Sequence, residues 1–293
     1  MTRRVAVIGA GTMGAGFVRL FAAAGLDVTA YDARPGAADA AVAEFPGASA
    51  AASLGEAVED ADVCIEAIVE ELEPKQALFR ELATLAAHGC VLATNTSALS
   101  IDAIASGAPE AARPRVIGAH FFNPPDVIPA VEVVRGALTS DATVATTVEL
   151  LERAGKSPAV VADSPGFVAN RIQHAMIVEA WRCVEEGIAD AAAVDSIVSA
   201  SFGFRLFAYG PFAIGDFNGL DVYESTQRTL ADAYGERFEP PASLRAHVER
   251  GEVGLKAGKG IFEWDDPEAA ARRRDAVFAR LAEIRRDVVD GSA

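Results

Sequence analysis

The stretch "RVAVIGAGTMGAGFVRLFAAAGLDVTAYD", residues 4–32, decides the fold. Its first six residues form a short apolar run ending in glycine, which reads as a buried strand. Met13, Phe17, Leu20 and Phe21 then recur at helical spacing until Gly25 closes the helix. "DVTAYD" is a second strand. Between the first strand and the helix lies Gly9-x-Gly11-x-x-Gly14, a pattern that is weak alone and strong in this strand–turn–helix–strand context. Gly9 permits a tight turn, Gly11 lets a pyrophosphate approach the backbone, and Gly14 lets helix and sheet pack closely. Thr12 and Met13 open the helix, whose unpaired N–H groups and partial positive charge suit an anion. Asp32 ends the second strand, where a carboxylate accepts hydrogen bonds from the adenosine ribose and repels a 2′-phosphate. NAD is therefore favoured over NADP, with Arg34 the one nearby group able to tolerate a phosphate. The competing reading, a glycine-rich turn without a ligand, explains neither the second strand nor Asp32.

The pattern repeats outward. Apolar strands are expected at 62–68, 90–95, 115–121, 130–134 and 158–163, with helices from Pro74 to Ala87 and near 141–154. Such alternation implies a largely parallel sheet covered on both faces. Residues 33–52 are rich in Ala, Gly and Pro, and the interval 33–61 has room for one short helix. After Asp163 the pattern changes. A helix can start at Pro165 and run through "GFVANRIQHAMIVEAWRCVEEG", followed by helices at 190–201, 211–234, 242–250 and 267–289, with one more strand at 260–264. The expected organisation is an α/β Rossmann-like dinucleotide-binding domain, residues 1–163, followed by an all-α domain, residues 164–293.

Composition narrows the partners. The chain has 293 residues and a net charge of −16. This surface repels nucleic acid and anionic membrane, so any phosphate must be held by local groups. Cys64, Cys90 and Cys183 are scattered without metal-ligand spacing, so no metal is expected and a reducing cytoplasm fits best. "MTRR" leads straight into the first strand with no cleavage site, which argues against a signal peptide. No apolar stretch is long and charge-free enough to span a bilayer.

One further stretch carries chemistry: "HFFNPPDVIPAVEVV", residues 120–134. His120 ends an expected strand, and open α/β sheets place ligands beyond strand C-termini. A neutral imidazole is a suitable base near pH 7. Glu132 lies within the next apolar strand, where an acid without a partner would be costly. A carboxylate on the second ring nitrogen would fix the tautomer and stabilise the imidazolium. On spacing alone, a buried histidine and an unrelated acid remain the simpler reading. His88, His174 and His247 match no motif. Trp181, with Ile177 and Val184, is spaced like a packing stripe, and the charged last helix is expected to pack through Val277, Phe278, Leu281 and Ile284.

With the glycines, Asp32, "ATNTSALSI", "HFFNPP…VEVV" and "DSPGFVANRI" in order, the chain resembles the L-3-hydroxyacyl-CoA dehydrogenase family from residue 4 to about 264. The resemblance implies an NAD-binding Rossmann-like domain, a helical domain that forms a homodimer, and a dehydrogenase that removes hydride and proton from a secondary alcohol. It places the catalytic histidine on His120, its partner on Glu132, the serine beside the reacting hydroxyl on Ser97 and the substrate-site asparagine on Asn170. Cofactor contacts fall on Glu70, Lys75, Ser97, Asn123 and Lys256. The lysine-based β-hydroxyacid dehydrogenases share the first motif, but "DSPGFVANRI" has no lysine to serve their mechanism.

Two departures concern the substrate. Acyl-CoA members carry a long helical hairpin after the ribose aspartate, and residues 33–61 have no room for it. Arg34 is the only cation in that interval, which puts the usual hold on the nucleotide end of CoA in question. Ile128-Pro129 stands where acyl-CoA members carry Met-Lys, a pattern more like branches acting on small hydroxy acids or alcohols. The expectations are a 3-hydroxyacyl thioester on CoA or a carrier protein, alternatively a free hydroxy acid or small alcohol. A binding protein without turnover is disfavoured by the intact Ser97, His120, Glu132 and Asn170.

Overall fold

The computed structural model describes residues 4–290; the first three residues of "MTRR" lie outside them. The chain divides into two compact units, Met1–Val178 and Glu179–Ala293. In the first, strands β1 (Arg4–Ile8), β2 (Asp27–Tyr31), β3 (Ala48–Ala50), β4 (Val63–Glu66), β5 (Val91–Thr94), β6 (Val116–Phe121), β7 (Ala130–Arg135) and β8 (Ser157–Ala162) form one sheet. Their order is β3-β2-β1-β4-β5-β6-β7-β8. Every pairing is parallel except β6 with β7. Strand order reverses between β1 and β4, so the loop after β1 opens at the switch point where such sheets bind ligands.

Helices α1 (Thr12–Ala23), α2 (Ala37–Val42), α3 (Leu54–Val58), α4 (Leu72–Leu85), α5 (Ile101–Ala105) and α6 (Asp141–Arg153) flank the sheet. Strands β1, β4, β5, β6 and β7 bury both faces, and the alternation of side chains sorts them between two cores, while β3 and β8 at the sheet edges are more exposed. Val5 and Val7 join Phe17, Phe21 and Phe121 on one side. Ala6 and Ile8 join Phe79, Leu82 and Phe167 on the other. Each of the Val, Leu, Ile and Phe side chains among these contributes roughly 1.5–3 kcal/mol on burial.

Several elements differ from the sequence reading. The interval 33–61 holds two short helices and edge strand β3, not one helix. Its alanines have little intrinsic strand preference, and β3 exists through its parallel pairing with β2. No helical hairpin stands there. Helix α5 was not foreseen; Ser100 caps it, its side chain accepting from the Ala103 amide. The helix expected from Pro165 begins at Ala169, as α7 (Ala169–Glu185). Before it, Gly166 and Phe167 take positive φ, 73° and 48°, which bends the chain out of helical geometry. The two compact units meet inside α7, whose start is hydrogen-bonded to β7 in the first unit.

The second unit contains α8 (Ala191–Ala200), α9 (Phe202–Leu206), α10 (Pro211–Asn218), α11 (Leu220–Tyr234), α12 (Ala242–Glu249) and α13 (Pro267–Arg285). The helix expected over 211–234 is broken at Gly219, whose φ of 98° no helix accommodates. Residues 260–264 form no strand, only an isolated bridge from Lys259 to Glu263. Buried Asp216 organises this turn instead, accepting from the amides of Ile261 and Phe262 and from the Trp264 indole, each at 2.9 Å. Phe278 packs as expected, near Phe204 and Tyr209, whereas Ile284 is exposed. Trp181 is also a correction: its residue surface is 66% exposed, so it is no packing stripe within this chain.

Candidate active site and dinucleotide cleft

His120 and Glu132, twelve residues apart in sequence, are directly opposite one another in the antiparallel β6–β7 ladder. That register is the local cause of their meeting, since paired residues on adjacent strands point to the same face. His120 Nδ1 lies 2.8 Å from Glu132 Oε2, and both residues are buried. The imidazole is flanked by the rings of Phe122 and Phe167, at centroid distances of 4.8 and 5.6 Å. Among the described residues Nε2 takes no hydrogen bond, so it is the ring atom left to handle a proton.

The other oxygen of Glu132 is equally committed. Oε1 accepts from the amides of Val168 and Ala169, both at 2.9 Å. The carboxylate thus caps the start of α7, where unpaired N–H groups and the helix dipole favour a negative charge. The next residue is Asn170, whose Nδ2 donates to the Ser97 carbonyl at 3.0 Å. Glu132 therefore ties together His120, Asn170 and the Ser97 loop. These four residues, expected from sequence, are brought together here, with the Ser97 side chain exposed.

A second polar cluster supports the Ser97 loop from beneath. Glu66, at the end of β4, is fully buried. It accepts from Lys75 Nζ at 2.5 Å, from the Ile68 amide at 2.7 Å and from Thr94 Oγ1 at 2.7 Å. Lys75 is buried too and reaches Glu70 at 3.3 Å. Glu70 Oε1 accepts from Thr96 Oγ1 and from the amides of Ser97 and Ala98. Burial pushes the Glu70 carboxyl up, but the Thr96 hydroxyl, the Ser97 amide and Lys75 outweigh it and hold it below the usual carboxylate value. The sequence reading missed Glu66, Thr94 and Thr96. An acid inside the apolar run "DVCIEAI" was the available signal, by the same burial argument that singled out Glu132.

The dinucleotide motif has the expected geometry. Gly9 has φ 95°, and a Cβ there would come within 2.6 Å of the Ala67 carbonyl oxygen. A Cβ on Gly14 would collide with the carbonyl of Gly9, whereas one on Gly11 would meet nothing within 4 Å. The first turn of α1 has no side-chain cap, leaving its N–H groups to an anion. A cleft of about 500 Å3 lies beside the motif, lined by Gly9, Gly11, Tyr31, Asp32, Arg34 and Ile68 among others. Asp32 Oδ2 accepts from the Ala10 amide at 2.7 Å, and the whole carboxylate is clasped by Arg34. The Arg34 side chain first of all, against the effect of burial and with the Arg34 and Ala10 amides, holds the Asp32 carboxyl at about 2. These residues fit an NAD: a glycine cradle open to a pyrophosphate, and a carboxylate at the ribose position.

The remaining expected cofactor residues are dispersed. Thr12 and Met13 open α1. Asn123 is exposed beyond β6, in a segment anchored to α1: the Arg19 guanidinium pairs with Asp126, and Pro125 seats against Gly16, where a Cβ would collide with it. Lys75 is beneath Glu70 rather than at the surface. Lys256 lies in the second unit, where its Nζ donates to Asp221 Oδ2 at 2.7 Å.

Comparisons with known proteins identify the family. The model of the 3-hydroxyacyl-CoA dehydrogenase NAD binding domain matches residues 4–51 and 47–164, and that of the C-terminal domain matches 166–264. A probable 3-hydroxybutyryl-CoA dehydrogenase of Bacillus subtilis is 35% identical over 287 residues, covering 90% of this chain and 98% of that protein. A 5-formyl-3-hydroxy-2-methylpyridine 4-carboxylate 5-dehydrogenase of Mesorhizobium japonicum is 33% identical over 308 residues, covering 98% of each chain. The crystal structure of a 3-hydroxyacyl-CoA dehydrogenase from Archaeoglobus fulgidus superposes with a TM-score of 0.85 at 33% identity, over 98% of this chain and 99% of that one. With NAD as its cofactor, this chain belongs to the 3-hydroxyacyl-CoA dehydrogenase family.

Proposed function

We propose that the chain interconverts a 3-hydroxyacyl thioester, carried by CoA or a carrier protein, and its 3-oxoacyl form, with His120 as the general base and acid. The observation that carries this reading is the free Nε2 of a buried imidazole whose Nδ1 is held by a carboxylate. Bound NAD would supply the hydride acceptor. Nε2 takes the proton of the secondary hydroxyl as the carbonyl forms and returns it in the reverse direction. Glu132 keeps the proton of the neutral ring on Nδ1 and stabilises the imidazolium as it develops. The Ser97 hydroxyl and the Asn170 amide, which keeps one N–H and its carbonyl oxygen beyond the bond to Ser97, orient the reacting oxygen. Glu70, Ser97 and Asn123 contact the cofactor in this reading, with Lys75 acting through Glu70.

A second substrate class is favoured by one feature. The interval 33–61 has no hairpin, and its only cation, Arg34, is already engaged by Asp32. This supports a free hydroxy acid or small alcohol, as does the Mesorhizobium relative, named for a free pyridine carboxylate. The helices after β8 support a homodimer: α7, which runs from the first unit into the second, and α8 bury no residue within the chain, and Trp181, Ile188, Ile197, Phe207 and Phe212 are exposed. Three free cysteines suit a reducing cytoplasm.

Replacing His120 by Ala should lower kcat by about 10²–10⁴ while leaving the NADH dissociation constant unchanged. Glu132→Gln should cost a similar factor, about 10²–10⁴, because an amide donating to Nδ1 forces the proton onto Nε2. Wild-type turnover in either variant contradicts the mechanism. In a substrate panel, NADH oxidation with acetoacetyl-CoA supports the thioester reading. Activity on free hydroxy acids with none on CoA or carrier thioesters replaces it by the second. Sedimentation should give twice the chain mass, and a monomer at micromolar concentration rules out the dimer.

A further inference from the structure

We propose that Arg34 is a held-back ligand for an adenosine 2′-phosphate, so that the cleft also admits NADP and Asp32 sets the preference. Asp32 has no acceptor to spare. Oδ1 accepts from the Arg34 amide at 2.8 Å and from Arg34 Nε at 3.0 Å. Oδ2 accepts from the Ala10 amide at 2.7 Å and from Arg34 Nη2 at 3.0 Å. A carboxylate offers about four lone-pair positions, and these four bonds fill them. A ribose that donates its hydroxyls to Asp32 must therefore displace the Arg34 guanidinium, leaving only the backbone bonds in place.

The two partners differ in freedom. The Asp32 side chain is 9% exposed and fixed by the glycine loop, whereas that of Arg34 is 67% exposed and has no other partner among the described residues. Both line the same cleft. While the pair is closed, its charges cancel, so the cleft lacks the unopposed carboxylate that would repel a 2′-phosphate. When the pair opens, the guanidinium presents a planar fork of donors that matches phosphate oxygens. Arg34 is the only cation between residues 33 and 61, so the chain around it offers no substitute. The bare aspartate would exclude NADP; the aspartate–arginine pair admits it at a discount.

The test is direct titration of NADH and NADPH by nucleotide fluorescence, without substrate, so that it is independent of the role given to His120. Wild-type protein should bind NADPH within about a hundredfold of its NADH affinity, and Arg34→Ala should weaken NADPH by about tenfold or more, as loss of a charged hydrogen bond does. NADH affinity in Arg34→Ala should stay within about threefold or tighten, since a competitor for Asp32 is gone. Asp32→Asn, which keeps an acceptor for the Ala10 amide, should tighten NADPH, and Asp32→Asn/Arg34→Ala should cancel that gain. Undetectable NADPH binding by the wild type, an unchanged NADPH affinity in Arg34→Ala, or a gain that survives in the double variant would each overturn the proposal. Arg34 is exposed, so its alanine variant is expected to fold and suffices if the Asp32 variants do not.

Discussion

The carboxylate of Glu132 is the constraint on which the site depends. One oxygen meets the imidazole of His120 and the other accepts the first amides of α7. An acid this deeply buried is tolerated only when its lone pairs are filled and its charge is opposed. Three N–H groups and a helix terminus meet that condition here. The same bonds fix where α7 begins, and hence where Asn170 stands against the Ser97 loop. Phe167 enters this arrangement at a φ of 48°, a conformation costing about 1–3 kcal/mol for a bulky side chain. Its buried ring beside His120 and the two amides that follow it hold the turn in place.

The same device recurs. Asp32 accepts from the glycine loop after β1, Glu66 from the Ile68 amide after β4, and Asp216 from the Ile261 and Phe262 amides in the second unit. Each acid sits at or near the end of an element; Asp32 and Glu66 shape the segments that the chemistry would use, and Asp216 shapes the turn at 260–264. Glu66 adds the buried ammonium of Lys75, which stands between it and Glu70. In this chain the ends of β1, β2 and β4 are therefore supported by charge–amide bonds, and the apolar cores position the strands that carry them.

Much of this was legible in the sequence. Residues 4–32 gave both the crossover unit and the cleft, because glycine spacing and apolar periodicity are local properties of a βαβ segment. His120 and Glu132 were legible as candidates, but their meeting depends on β7 running antiparallel to β6, which no spacing encodes. The Glu132 cap on α7 joins residues far apart in the chain and could not be read either. Nor could the burial of Lys75, since a lysine in the first turn of an amphipathic helix ordinarily faces water. The break at Gly219 and the late start of α7 were missed because apolar periodicity continues across both. Trp181 was misread for the opposite reason: helical spacing marks an apolar face without saying what covers it.

The central claim is that Glu132 holds the proton of the neutral His120 ring on Nδ1 and leaves Nε2 free. Nitrogen NMR of histidine-labelled protein reads this directly, with the His120 signals among the four histidines assigned by their loss in His120→Ala. In the neutral imidazole the account predicts a protonated Nδ1 and an unprotonated Nε2. A proton found on Nε2, with Nδ1 bare beside the carboxylate, would contradict it.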